Sequence, residues 1–323
     1  ELAAHCARFL DGAAKNGIEE ALAKEIWGYL MAFSGYGFCK SHAAAFALIA
    51  YQTLYLKAHY PAPFYCALLN HQPMGFYAPD VVIGDARRHG VPVLAPDVNL
   101  SRERCTLEGR GRHAIRLGLR YVHGLGETHP ARIVACRGDR HFAGLGDFCR
   151  RTRLPRALVE NLIRAGAFDH GALPRVTAPR HAATRRELLW QLGGLVYPGP
   201  VVDQDDLDLV APLPAVDLPD LDQMERMLWE HELLGTTPGA HVMGLWREAL
   251  RAQGVLSSAD LATRRSGERV QVAGRVIVRQ RPPSAKGFVF VTLEDESGLI
   301  NLIVRPKTYE RHREALRGSP LLW

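Results

Sequence analysis

The sequence predicts a multidomain chain, helical first and β at its end, and three observations carry that reading. Apolar residues keep a helical period up to about residue 70. Glycine turns then divide the middle into short helices. After Gly267 the apolar period changes to two. At 323 residues the chain exceeds what a single core usually holds.

Taken in order, Ile18, Leu22, Ile26 and Leu30 form one helical stripe, and a second helix is predicted from Ser41 to Tyr60, where Pro61 stops it. Phe64–Asn70 is a third. Residues 71–110 are broken by proline and glycine, with a short helix over Val81–His89 and an extended "VPVLAPDVN" after it. From Ala114 to about Gln191 short helices alternate with glycine turns. Prolines and aspartates dominate Val196–Leu221, the pattern of a wrapping or linking segment. Helices follow over Leu221–Leu234 and Leu245–Gln253, separated by "GTTPGAH". "RVQVAGRVIVRQ", "FVFVTLEDESG" and "LINLIVRP" alternate as strands, and a helix is predicted from about Lys307 to Arg317. Three strands, a helix and a further strand is the order of an OB-fold barrel, incomplete here. The expected division is 1–110, 111–190, 191–266 and 267–323.

Composition narrows the classes. Cys6, Cys39, Cys66, Cys105, Cys136 and Cys149 are scattered with no C-x-x-C pair, which argues against a disulfide framework and a thiolate zinc site and suits a cytoplasmic protein. The apolar run Ala43–Leu56 is too short to span a bilayer, so no membrane partner is expected. The chain opens on Glu1 inside a helical pattern, and the expectation is an internal piece of a longer protein. Charge is segregated. Ser101–Trp190 holds eighteen arginines and no lysine against eight acids, whereas Asp203–Glu232 holds ten acids opposed only by Arg226. With a net charge of +6, the middle of the chain suits a polyanion.

Three constellations are candidates for binding it. In "GYGFCKSHAAAF", Ser41 is predicted to cap a helix beginning at His42. Lys40 and His42 would flank the exposed first-turn N–H groups, and Gly37 would allow close approach of a phosphate. An ordinary cap with a surface lysine explains the same residues. In "LRYVHGLGETHPARIVACR", a helix, a turn at Gly124-Leu125-Gly126 and a second helix read as a helix-hairpin-helix. Its amides beside His123 would face a DNA phosphate, with Leu125 packed inward and Arg132 and Arg137 adding countercharge. "FAGLGDFCRRTRLPRALVENLIRAGAFDHG" reads as a degenerate companion, with Leu158, Leu162 and Ile163 as core. In the β end, Arg275, Arg279, Arg281, Lys286, Phe288 and Phe290 would form a face for single-stranded nucleic acid, the phenylalanines serving either as stacking platforms or as barrel core. Asp205, Asp206, Asp208, Asp220 and Asp222 sit in the proline-rich linker, where carboxylates are not held rigidly enough for metal catalysis.

"FSGYGFCKSHAAAFALIAYQTLYLKAHYPAPFYCALLN" resembles the fingers of bacterial C-family DNA polymerases, the polymerase III alpha-subunit type, and the likeness continues through "DARRHGVPVLAPDVNLS", "LIRAGAFD", "HELLGTTPGAH" and the β end. "LLNHQPMGFYAPDVVIGDARRHGV" is similar to the error-prone, damage-tolerance branch, while "FCKSHAAAFAL" stands nearer the replicative pattern, with Cys39 where asparagine is usual. The resemblance implies a fingers end, tandem helix-hairpin-helix, helical connector and OB-fold. It also implies an upstream palm whose aspartates hold Mg2+ in the full-length enzyme, so that this stretch has no catalytic residue or cofactor of its own. Lys40, Ser41 and His42 would then face the dNTP or the primer–template. The implied partners are primer–template and single-stranded DNA, with a sliding clamp or damage-response accessory proteins; Gln204, Leu207 and Leu209 have a clamp-peptide-like spacing, otherwise reading as acidic linker. The competing class is a non-catalytic DNA-binding repair or scaffold module.

Overall fold

The computed structural model describes residues 2–34, 39–75, 77–169, 183–195 and 216–323. Gly37 and the Gln204–Leu209 stretch lie outside the described residues. The chain forms two units, residues 1–59 and 60–323.

The first unit holds α1 (Leu2–Lys15), α2 (Glu20–Ser34) and α3 (Lys40–His59). Gly17, at φ +72°, ends α1 and turns the chain. The two helices then close over Ala13 and Ala23, with Phe9 and Trp27 rings 5.4 Å apart. α3 is apolar around its circumference yet has no buried residue; Phe46, Tyr51, Leu54 and Tyr55 are all exposed.

The second unit begins with α4 (Pro61–Asn70), which Pro61 starts at its first turn, and α5 (Pro79–Arg88). A small sheet, unforeseen in the sequence, follows: β1 (Val93–Leu94), β2 (Thr106–Glu108) and β3 (Ala114–Arg116). β3 lies between the others, parallel to β1 and antiparallel to β2. Tyr65, Leu69, Ile83, Ala86, Ile115 and Leu117 pack between α4, α5 and this sheet. The Asn70 amide exchanges bonds of 2.9 and 2.8 Å with the Cys105 backbone, as a strand partner would.

Next come α6 (Thr128–Arg137), α7 (Leu145–Thr152), α8 (Arg156–Arg164), α9 (Arg185–Gly194) and α10 (Gln223–Leu234). Their core gathers Leu119, Leu125, Ile133, Phe148, Leu162 and Leu188, and Leu233 and Leu234 of α10 join it. Capping boxes begin α9 (Thr184, Glu187) and α10 (Asp222, Glu225). Buried Arg185 pairs with Asp169 at 2.6 Å and Glu230 at 2.7 Å, tying α10 to α9.

α11 (Val242–Ala252), β4 (Val255–Leu256), α12 (Ser258–Leu261) and β5 (Gln271–Val272) lead into the β region, with β4 and β5 paired in parallel. There β6 (Gly274–Gln280), β7 (Val289–Glu294), β8 (Leu299–Val304), α13 (Pro306–Arg311), α14 (Arg313–Gly318) and β9 (Leu321–Leu322) form an antiparallel sheet ordered β8-β7-β6-β9. The single expected helix is two short ones. A bulge between Val276 and Val278 increases the twist of β6. A Cβ on Gly274 would meet the Glu294 carbonyl at 2.9 Å, so only glycine lets these strands cross so closely. Val289, Val291, Leu293, Ile300 and Val304 make the inner face.

Candidate nucleic-acid interface

Helix-hairpin-helix geometry needs a turn whose amides point outward while its middle side chain points inward. Leu125 is 0% exposed, with its N–H bonded to Val122 O at 3.2 Å, whereas Gly124 and Gly126 are exposed at φ +88° and +59°. Among the described residues, no protein acceptor takes the Gly124 or Gly126 N–H. The hairpin is braced behind, where His123 N–H donates to Leu233 O at 2.7 Å and Asn161 Nδ2 donates to His123 O at 3.0 Å. The His123 side chain is exposed.

The sequence expectation of a helix before the turn is corrected to a single 3-10 turn, Leu119–Tyr121. The loop 102–104 runs directly beneath it. Leu119 N–H donates to Arg102 O at 3.0 Å and Arg120 N–H to Glu103 O at 3.1 Å, and a Cβ on Gly118 would come within 2.4 Å of the Arg104 carbonyl carbon.

Of the two arginines assigned to α6, Arg132 is exposed, but Arg137 turns inward. Its Nη1 donates to Val98 O at 3.0 Å and Ser101 O at 2.8 Å. It staples the end of α6 to the preceding loop.

The companion hairpin lies between α7 and α8, and Gly144, extended at φ −179°, heads α7. The turn is Arg153-Leu154-Pro155, with Leu154 buried as Leu125 is and Arg153 at φ +46°. Leu162 and Ile163 are fully buried, with Leu158 packed at the edge of the same core. Pro155 offers no N–H, so this hairpin presents Arg153 and Arg156 in place of amides. Arg153 takes this left-handed turn with no glycine in the sequence to mark it.

In the first unit, α3 begins at Lys40, two residues before the expected start. Ala43 N–H bonds Cys39 O at 3.0 Å, so Cys39 and not Ser41 occupies the cap. The Cys39 thiol lies 3.3 Å from Ser41 Oγ. That hydroxyl, then the His42 N–H, lower the thiol's pKa. Lys40, Ser41 and His42 are exposed in the first turn, the His42 ring 4.5 Å from Phe46.

The six β-region residues do not share one face. Arg275 pairs with Asp80 of α5 and, at 3.1 Å, with Glu294, and is largely withdrawn from solvent. Arg279 donates to the carbonyls of Leu316 and Ser319, ending α14. Arg281 sits over the Tyr309 ring at 4.8 Å. Lys286 is exposed, at φ +48°. Phe288 precedes β7, half-buried. Phe290 is 39% exposed on the outer face, opposite Ile303 and Gln280, so alternation makes Val289 and Val291 the core instead.

The carboxylates of "LEDESG" are occupied. Glu294 faces Arg88 and Arg275, Asp295 accepts from Ser258 N–H and Oγ, and Arg247 pairs with Glu296. Among the described residues no three His, Cys, Asp or Glu side chains gather where they could hold a metal ion.

Fold and hairpin together define a chain carrying a helix-hairpin-helix, and a family model described as "Helix-hairpin-helix motif" matches residues 90–178. Along nearly its whole length the chain is similar to error-prone DNA polymerases. It is 39% identical to error-prone DNA polymerase 2 of Agrobacterium fabrum over 98% of this chain, 41% identical to that of Anaeromyxobacter sp. strain K over 100%, and 42% identical to that of Alkalilimnicola ehrlichii over 98%. It spans 29%, 28% and 30% of those proteins respectively. No described helix is long and apolar enough to cross a membrane.

Proposed function

We propose that this chain is the DNA-holding part of an error-prone DNA-directed DNA polymerase, a nucleotidyltransferase that extends a primer across damaged template. The observation that carries the reading is the hairpin: Gly124 and Gly126 hold free amides over a buried Leu125. Such amides grip phosphate without reading bases, which suits an enzyme that must travel over any sequence. The first turn of α3, with Lys40, Ser41 and His42, would meet the phosphates of an incoming nucleotide or the nascent duplex. Order β8-β7-β6-β9, with helix between β8 and β9, supports reading the β region as an OB-fold. Phe290 on its outer face would then stack a single-stranded base.

The steps proposed for this chain are binding and positioning of DNA. The test is binding of primer–template DNA by the full-length protein across a salt series. Affinity that falls steeply with salt, alike on unrelated sequences, supports the reading; absence of binding at low salt overturns it.

A further inference from the structure

An open cleft of about 600 Å³ lies between the loop at Arg102–Thr106 and the end of α6, lined by Arg102, Glu103, Arg104, Val134, Arg137 and Asp139 among others. Its floor is fixed. The backbone bonds from Leu119 and Arg120 hold the loop, and Arg137 clamps Val98 O and Ser101 O. Arg102 and Arg104 are exposed, and among the described residues their side chains form no ion pair or hydrogen bond. Burial, opposed by Asp97 and reinforced by the nearby charge of Arg102, disfavours the charged form of Arg137, so the cations crowd one another. Of the two carboxylates lining the cleft, Glu103 is engaged by Arg120 at 3.3 Å; Asp139 remains, exposed, against three guanidinium groups.

The cleft adjoins the hairpin. Arg120 holds Glu103 with one nitrogen and Glu127, which ends the hairpin, with another, both at 3.3 Å. The loop of the cleft and Glu127, next to Gly126, are thus bridged by one guanidinium. A planar guanidinium matches a phosphate in a two-bonded fork, and an unpaired pair of them beside a phosphate-gripping turn has no structural partner to satisfy.

We propose that Arg102 and Arg104 form a second phosphate site, taking a phosphate of the same DNA backbone that the hairpin amides hold. This rests on the DNA-binding reading above and extends it to a site that no glycine turn marks.

The test is carried out on the full-length polymerase with Arg102→Ser and Arg104→Ser combined, measuring the affinity for two duplexes of unrelated sequence over a salt series. The expected result is a slope of log K against log salt shallower by about 1 to 2, with the same loss on both duplexes. Arg102→Glu should weaken binding further. Slope and affinity equal to wild type overturn the site. If wild-type protein itself shows no salt-dependent binding, the DNA-binding reading fails with it. If Gly126→Ala weakens binding while the double arginine variant does not, the hairpin stands and the cleft falls. An unchanged thermal melt of the arginine variants separates lost contact from lost fold.

Discussion

Arg88 of α5 and Glu294 of β7, 206 positions apart in the chain, meet in a 2.7 Å ion pair. Glu294 is 1% exposed, and Arg275 of β6 completes its coordination at 3.1 Å. The imidazole of His241, 3.6 Å away, adds an electrostatic neighbour rather than a hydrogen bond. One carboxylate therefore joins the β sheet, the head of α11 and α5. A Cβ on Gly84 would come within 2.7 Å of it, so glycine leaves the space it occupies.

Glu294→Gln should destabilise this unit by about 3–5 kcal/mol, since it strips a buried cluster of its anion. Burial alone would raise the Glu294 pKa; His241, Arg88 and Arg275 hold it below its ordinary value near 4.5. A depressed folded pKa makes the stabilisation complete above that value and drains it as pH falls through the lower, folded one. Melting curves between neutral and acid pH check this: the variant's acid limb should be flatter than wild type's.

Gly126→Ala leaves the core untouched, because no atom lies within 4 Å of the added carbon. It forces alanine to φ +59°, at a cost of about 1–2 kcal/mol, and sets a methyl where phosphate would approach. In the full-length protein, DNA affinity should fall about tenfold, while the melt falls only by the few degrees that this backbone cost of about 1–2 kcal/mol implies. Leu125→Ala should do the reverse, losing about 2–5 kcal/mol of stability through a cavity. Titration calorimetry beside thermal melts distinguishes the two.

Phe290→Ala and Arg275→Ala should likewise separate. Phe290 lies on the outer face, so its loss should weaken single-strand binding by about 1–3 kcal/mol and spare the fold. Arg275 is paired inside, so its loss should lower the melting temperature first. Equal effects of both on single-strand affinity would contradict this division.

Replacing Lys40 and His42 with alanine in the full-length enzyme should raise the apparent KM for dNTP or slow incorporation, measured by single-nucleotide primer extension. Unchanged kinetics reject a phosphate role for this helix mouth.

Cys39, exposed and lowered in pKa by Ser41 and the His42 amide, should react first with a maleimide, faster as pH rises through that lowered value. Cys105, buried and pushed up to about 12 chiefly by burial, should resist until the protein unfolds. Peptide mapping of time-resolved labelling checks the order.

Local chemistry made much of this legible in the sequence. Gly124 and Gly126 announce a tight turn because positive φ admits few other residues, and "VFVTLE" announces a strand by its alternation. Two- and three-residue strands such as β1 and β3 are too short to show a period, and Arg153 takes a left-handed turn without the glycine that would signal it.

The sequence by itself determined the helical start and β end, the longer helices, the strands β6 to β8, the glycine turn and the segregation of charge, since each depends on neighbours a few residues away. Only the tertiary structure decided which arginines are free. Arg275, Arg279 and Arg137 are spent on partners that folding brings to them, while Arg102, Arg104 and Arg132 remain on the surface. A guanidinium's availability is a property of what lies within about 4 Å of it, and that distance is set by folding rather than by position along the chain.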